Sequence, residues 1–147
     1  MPDEIPLELH APILSCFPNG TQILEAHSYR PGYLLFPMRV HLQLPNGTER
    51  RCVVKIGTHA VIEKEVGVLH ILKEVGLSVP EVLSEPIPVS SEERTLVVLS
   101  ELAGTALPWC GISTLAEADL ACRLTLEGVA RLHEITERVQ AHPAANT

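Results

Sequence analysis

The amino-acid sequence predicts an α+β fold, in which a five-stranded antiparallel sheet with one packed helix is followed by a linker and one long helix. Two observations predict this class. Three strand-like segments joined by tight turns precede a helical pattern and two more strand-like segments, and a long amphipathic pattern follows a linker containing glycine and proline. We therefore divide the sequence into residues 1–20 (a short helix or an irregular arm), 21–103 (the sheet), 104–114 (the linker) and 115–147 (the long helix).

The first three strands are predicted at residues 22–27, 33–44 and 49–56. A turn signal, Ser28-Tyr-Arg-Pro-Gly32, separates the first two, and Pro45-Asn-Gly-Thr48 separates the second from the third. Asn-Gly between alternating apolar segments is typical of a β-hairpin. Tight turns join antiparallel strands, whereas a parallel pair needs a long crossover, so the sheet is predicted to be antiparallel.

A helix follows the third strand. From Ala60 the apolar residues recur with a period of about 3.6 residues; they are Val61, Ile62, Val66, Leu69, Ile71, Leu72 and Val75. Gly76 is expected to end this helix, because glycine accepts the left-handed conformation of a helix C-terminus, and Pro80 prevents its continuation. A short strand is predicted at residues 82–84, and a β-branched, buried strand at 95–102.

The last helix is predicted from Thr114, because Thr114-x-x-Glu117 has the spacing of a capping box. Pro143 is expected to end it. Its apolar side chains form one stripe, namely Leu120, Leu124, Val129 and Leu132. If nothing covered this stripe, we would expect self-association or pairing with another chain through the helix at residues 115–140.

Composition and charge exclude several functions. Eleven Lys and Arg against 18 Asp and Glu give a net charge of −7, which argues against nucleic acid as the main partner. No apolar run is long enough to span a membrane, and the Pro-broken acidic N-terminus is unlike a secretory signal. The four cysteines, Cys16, Cys52, Cys110 and Cys122, and the seven histidines show no metal-ligand spacing. We therefore expect free thiols, a cytoplasmic location and no metal site.

Lys55 is the residue that most suggests chemistry. It stands between Val54 and Ile56 near the end of the third predicted strand and shares a face with Val53. Glu65 on the following helix could hold its ammonium group in a fixed place, as binding of an anionic phosphate requires. The residue types alone favour the other reading, an edge-strand lysine that reaches solvent, with Glu63 and Glu65 on a solvated helix face.

Five segments, taken in order, resemble the amino-terminal part of the aminoglycoside phosphotransferase family, which comprises small-molecule kinases with the protein-kinase-like fold. They are Val53-Val-Lys-Ile56, Glu65, Gly76-Leu-Ser-Val-Pro80, residues 96–108 and Ala130-Arg-Leu-His-Glu134. The resemblance extends from about Gln22 to about Arg138. It implies that residues 21–103 are a nucleotide-binding lobe, and that 115–147 hold the first long helix of an incomplete second lobe.

This resemblance implies that ATP is the cofactor. Lys55 resembles the strand lysine that contacts the α- and β-phosphates, and Glu65 resembles the helix glutamate that orients this lysine. Val53 resembles the small apolar residue that lies over the adenine ring. An adenine nucleotide is therefore the first expected partner.

The same resemblance implies a hinge between the lobes at residues 99–102. Leu99 would lie at its start, and backbone groups of Ser100 and Leu102 would pair with the adenine edge. The loop over the phosphates would lie between the first two strands, where Gly32 is the single glycine. Gly32 fits a phosphate-binding role and a plain turn alike.

The catalytic part of the family's pattern is absent. The family supplies an acid near the acceptor hydroxyl and its Mg²⁺ ligands from a His-Gly-Asp-x-x-x-x-Asn stretch and a later aspartate. This sequence has only Asp3 and Asp119, and no histidine is followed two residues later by aspartate. We therefore expect no catalytic residue in this chain, and Mg²⁺ only together with the absent lobe.

The resulting expectation is a fragment of an ATP-dependent phosphotransferase that acts on small-molecule hydroxyls and is inactive alone. The hydroxyl acceptor would bind in the full-length family members, and its identity is not encoded here. The alternative is a non-catalytic binding or regulatory module of the same lobe fold, which pairs with another chain. Loss of a nucleotide effect on replacement of Lys55 would distinguish the two.

Overall fold

The computed structural model describes residues 5–28, 37–89, 93–103 and 114–143. In these segments the chain forms three helices and five strands. In chain order they are α1 (Leu7–Leu14), β1 (Gln22–Ser28), β2 (Met38–Gln43), β3 (Glu49–Thr58), α2 (His59–Glu74), β4 (Ile87–Pro88), β5 (Arg94–Ser100) and α3 (Leu115–Gln140).

The strands form one five-stranded sheet in the order β1-β2-β3-β5-β4, and every neighbouring pair is antiparallel. The predicted α+β class with a five-stranded antiparallel sheet is therefore confirmed. The turn between β2 and β3 centres on Pro45 and Asn46, because the Gly47 N–H donates to the Leu44 carbonyl. Gly47 follows with a φ of 81°, where glycine avoids the strain that a Cβ would cause.

The sheet is covered on both faces. Side chains alternate along each strand, so one face carries Met38, Val40, Leu42, Cys52, Val54, Leu96 and Val98, all buried in one apolar cluster with α1. We call it the α1 face. The opposite α2 face carries Val53, Val97 and Leu99, which pack against Ile62, Val66 and Leu69 of α2. Because β5 contributes to both clusters, the predicted burial of this strand is confirmed, although the strand ends at Ser100 and not at residue 102.

Helix α1 was not among the packed elements that the sequence predicts. Of the two alternatives for residues 1–20, the helix is observed, and it packs on the sheet as a second helix. Ile13 is completely buried and Leu9 nearly so, whereas Leu7 is 84% exposed. The periodic signal in this segment is weak because the helix is only eight residues long and contains Pro12.

Helix α2 ends as its sequence predicts. Gly76 has a φ of 92°, its N–H donates to the Lys73 carbonyl, and the Leu77 N–H donates to the Leu72 carbonyl. These two bonds form a Schellman motif, which satisfies carbonyl groups at the helix end. The next strand differs from the prediction. Residues 82–84 contribute only an isolated bridge from Val82 to Leu99, and β4 lies further along the chain.

The chain divides into two compact units, the first comprising Met1–His70 and Ser78–Leu102, and the second Ile71–Leu77 and Ala103–Thr147. Within the second unit, α3 has the predicted capping box between Thr114 and Glu117. Most of the described part of α3 is exposed, and of its helical residues only Ala121 and Ile135 are buried. The predicted apolar stripe is consequently half exposed, at 49% for Leu120, 51% for Leu124, 45% for Val129 and 50% for Leu132.

Candidate functional site

The candidate site is built around Lys55 on the α2 face of β3. Its neighbours Val54 and Ile56 belong to the apolar cluster of the α1 face, so strand alternation directs Lys55 to the opposite side. The side chain is 32% exposed. A lysine in this position covers apolar surface with its stem and needs a partner for its ammonium group.

Glu65 supplies that partner, as the sequence predicts. Ile62, Val66 and Leu69 anchor α2 on the same face of the sheet, and Glu65 lies at the edge of this buried stripe. The Lys55 Nζ donates a hydrogen bond to Glu65 Oε1, and the Glu65 side chain is 31% exposed. The alternative in which Lys55 reaches solvent and Glu65 belongs to a solvated helix face is therefore not what the structure shows.

The ion pair acts mainly by fixing a position. Pairs with this degree of exposure contribute only about 0 to 1 kcal/mol to stability, because water screens the charges. An ammonium group has three N–H donors, and Glu65 accepts from one of them. The remaining donor capacity of Lys55 is held at a defined place on the α2 face, where it could bind an anion.

Val53 and Leu99 form the row of the α2 face next to the one in which Lys55 is paired with Val97. Val53 is paired with Leu99 of β5, and Leu99 is bridged on its other side to Val82. Leu99 is 4% exposed and packs in the α2-face cluster, against which the partly buried Val53 also packs. Val53 is the partly exposed member of this row, and its apolar side chain suits contact with an aromatic ring.

The predicted hinge residues differ in what their backbones offer. The Ser100 N–H donates to the Glu81 carbonyl at 2.8 Å, and the Ser100 hydroxyl accepts from the Glu81 N–H at 2.8 Å. The Ser100 N–H is therefore engaged, and a contact of the Ser100 carbonyl with a base edge stays a prediction. Leu102 lies beyond the end of β5 with its side chain 49% exposed, and its predicted role stays open. Gly32 lies outside the described residues.

One charged pair on this face was missed from the sequence. Arg39 on β2 forms an ion pair with Glu101, which follows β5, at 2.5 Å between Nε and Oε1. The alternation of residues 39–44 could have placed Arg39 opposite the apolar side of its strand. Its partner could not be predicted, because the pair depends on the strand order and on the register of β2, β3 and β5.

A second polar cluster lies toward the β1 edge. His41 is 16% exposed, and its ring lies 3.5 Å from Glu25 through Nδ1 and 2.9 Å from Glu49 through Nε2. His27 is 3.4 Å from the same Glu25. The hydrogen bond from His27 lowers the pKa of the Glu25 carboxyl below its ordinary value, and His41 adds to the effect. This network connects β1, β2 and β3.

A metal site needs several ligating side chains close together. In the described segments, no three His, Cys, Asp or Glu side chains come together in a group that could hold a metal ion. Asp119 lies on α3 and pairs with Arg123 one turn later at 2.7 Å.

Among the described helices, none combines the length and the apolar character needed to cross a membrane.

The described cysteines have different environments. Cys52 lies in the α1-face cluster, and burial raises the pKa of its thiol to about 12. Burial also raises the pKa of the partly buried Cys16 thiol, against smaller effects of hydrogen bonds with Ser84 and Ser15. Cys122 is exposed on α3. All three are free thiols, as the spacing predicts, whereas Cys110 lies outside the described residues.

Comparisons with known proteins found no relative of this chain. No protein-family profile matches the chain, and searches of curated proteins and of solved structures found no match.

Proposed function

We propose that residues 21–103 bind ATP as the nucleotide-binding lobe of an aminoglycoside phosphotransferase-like kinase. The observation that carries the proposal is the Lys55–Glu65 ion pair on the α2 face of the sheet. The sequence motifs that resemble the family require this pairing, and it depends on a strand and a helix brought together by packing.

In this proposal, Lys55 donates hydrogen bonds to the α- and β-phosphates while Glu65 keeps its ammonium group in place. The nucleotide base lies against the partly exposed Val53. Leu102, beyond the end of β5, offers the backbone contact to the edge of the base. This arrangement uses a fixed cation for the phosphates and apolar surface for the ring, which are the two chemical requirements of an adenine nucleotide.

Phosphoryl transfer is not expected from this chain alone. The reaction needs a carboxylate next to the acceptor hydroxyl and oxygen ligands for Mg²⁺. Asp119, one of the two aspartates, is exposed on α3 and paired with Arg123. We propose that Mg²⁺ and the small-molecule hydroxyl are held by residues outside this sequence. ATP-dependent phosphorylation of an alcohol by this chain alone would contradict that part of the proposal.

The test is the thermal stabilisation of the protein by ATP. A ligand present at ten times its Kd stabilises the folded state by about 1.4 kcal/mol, which raises Tm measurably. We expect ATP to raise the Tm of the wild type and of Lys64→Ala. Lys64 is an exposed lysine next to Glu65 and serves as the matched control. We expect Lys55→Ala to lose most of the increase.

Two results would contradict the nucleotide site. One is a wild-type Tm that ATP does not change at any concentration up to several millimolar. The other is an equal increase in Lys55→Ala, because the bound ATP would then not touch the lysine. Isothermal titration calorimetry of the same three proteins distinguishes a lost affinity from a change in stability.

A second candidate function is favoured by the exposed stripe of α3. We propose as the alternative a non-catalytic module that pairs with another chain through Leu120, Leu124, Val129 and Leu132. Each of these side chains is 45% to 51% exposed. A wild type without any nucleotide effect, together with association that depends on this stripe, would favour the alternative.

A further inference from the structure

The ion pair between Arg39 and Glu101 joins two strands that are not neighbours. Arg39 belongs to β2 and Glu101 follows β5, while β3 lies between these strands in the sheet. Neighbouring strands are about 4.8 Å apart, so the two residues are separated by about 10 Å across the sheet. The two side chains must therefore extend toward each other over β3.

The register shows where this crossing lies. Arg39 is paired with Val53, and Val53 is paired with Leu99, two residues before Glu101. Arg39 alternates with the buried Met38 and Val40, which directs it to the α2 face. The paired side chains consequently cross β3 beside Val53, on the same face as Lys55.

We propose that the Arg39–Glu101 pair is a strap across the base-binding surface, which a nucleotide must displace before its ring can lie on Val53. This inference rests on the proposed function. An incoming ligand can reach the outer part of the pair, since the side chain of Arg39 is 41% exposed and that of Glu101 is 18% exposed, while the paired Nε atom itself is buried. It is also weak enough to open, as partly exposed ion pairs usually are.

The strap has a chemical consequence for specificity. A ligand gains apolar contact with the partly exposed Val53 only after the guanidinium and the carboxylate have separated. An aromatic base compensates for the lost ion-pair interaction, because it buries apolar area and presents a π-face to the released guanidinium. A simple polyphosphate binds at Lys55 without opening the strap, so removing the Arg39–Glu101 pair does not increase its affinity.

Adenosine is the probe for this inference, because it has the base and lacks the phosphates that Lys55 would bind. We expect Arg39→Ala and Glu101→Gln each to bind adenosine about two- to fivefold more tightly than the wild type, which corresponds to the cost of opening such a pair. The reversed pair, Arg39→Glu with Glu101→Arg, should return the affinity toward the wild-type value. Calorimetry or ligand-observed NMR measures the affinities.

The matched control is Arg123→Ala, which breaks the exposed ion pair with Asp119 on α3. It should leave adenosine binding unchanged. Glu101→Gln preserves the size of the side chain, so it remains informative if Arg39→Ala lowers the stability. Circular dichroism melting of each variant without ligand verifies that it is folded.

The outcomes separate the strap from the proposed function. Lys55-dependent ATP binding with adenosine affinity unchanged or weakened in both Arg39→Ala and Glu101→Gln would overturn the strap and leave the nucleotide site standing. Failure of the wild type and of every strap variant to bind either adenosine or ATP would overturn both. Tighter adenosine binding in the single variants, reversed in the double variant, would establish the strap.

Discussion

Single residues set the chemistry of this molecule through the face of the sheet to which they point. Lys55 and Val54 are consecutive, yet one pairs with Glu65 on the α2 face and the other is completely buried on the α1 face. Cys52 shares the buried side with Val54. Its thiol therefore experiences an environment that disfavours the thiolate, and this makes a measurable prediction.

The stability of the protein should depend on Cys52 at alkaline pH. The pKa of this thiol is raised by burial from an ordinary 9.0 to about 12 in the folded state. The folded state thus keeps a proton that the unfolded state has lost, so the stabilising contribution is complete below pH 9 and is lost as the pH rises toward 12. At pH 10.5 the loss is about 2 kcal/mol.

Urea unfolding at pH 8 and at pH 10.5 measures this contribution. We expect the wild type and Cys122→Ala, which changes an exposed cysteine, to lose more free energy of unfolding between the two pH values than Cys52→Ala does. Equal losses in all three proteins would mean that the Cys52 thiol does not stay protonated in the folded state.

At the scale of elements, α1 is the part of the fold that the sequence left undecided. Its burial makes it a structural component of the sheet domain. We expect Ile13→Ala to lower the free energy of unfolding by about 2 to 5 kcal/mol, because it opens a cavity in the α1-face cluster. Leu7→Ala in the same helix should change it by less than about 0.5 kcal/mol, since Leu7 is 84% exposed. Chemical denaturation of both variants compares the two values.

A small effect of Ile13→Ala, similar to that of Leu7→Ala, would indicate that α1 does not stay packed on the sheet.

Elements with a strong local signal could be predicted with their ends, as the glycine at the end of α2 and the capping box of α3 illustrate. Those signals are complete within a few residues. Helix α1 and the short β4 lack such a signal, because contacts with distant strands determine them.

At the scale of the whole molecule, the exposed stripe of α3 predicts association. We expect concentration-dependent self-association or pairing in light scattering, because four large apolar side chains of the helix are about half exposed. Leu124→Glu should weaken it by placing a charge within the stripe. Ala130→Glu, which lies outside the stripe on the same helix, is the matched control and should change it little. A wild type that stays monomeric at high concentration would contradict this prediction.

The candidate site was predictable in part for the same physical reason as the fold. The Lys55–Glu65 pairing joins a strand and the helix next to it, so the sequence could suggest it, and the resemblance of the surrounding motifs favoured it over a lysine that reaches solvent. The Arg39–Glu101 pair and the engaged Ser100 N–H depend on which strands are neighbours in the finished sheet. The strand order, with β5 between β3 and β4, is not encoded in any single segment.

That strand order also has a consequence during synthesis of the chain. Strand β5 pairs with both β3 and β4, and of the five described strands it is the last to leave the ribosome. Until then, the nascent hairpins present the edge of β3 without its partner, and an open edge can recruit strands from other chains. Slow translation before residues 94–100 should therefore favour misassembly, and a chaperone that shields β3 should improve the yield of folded protein.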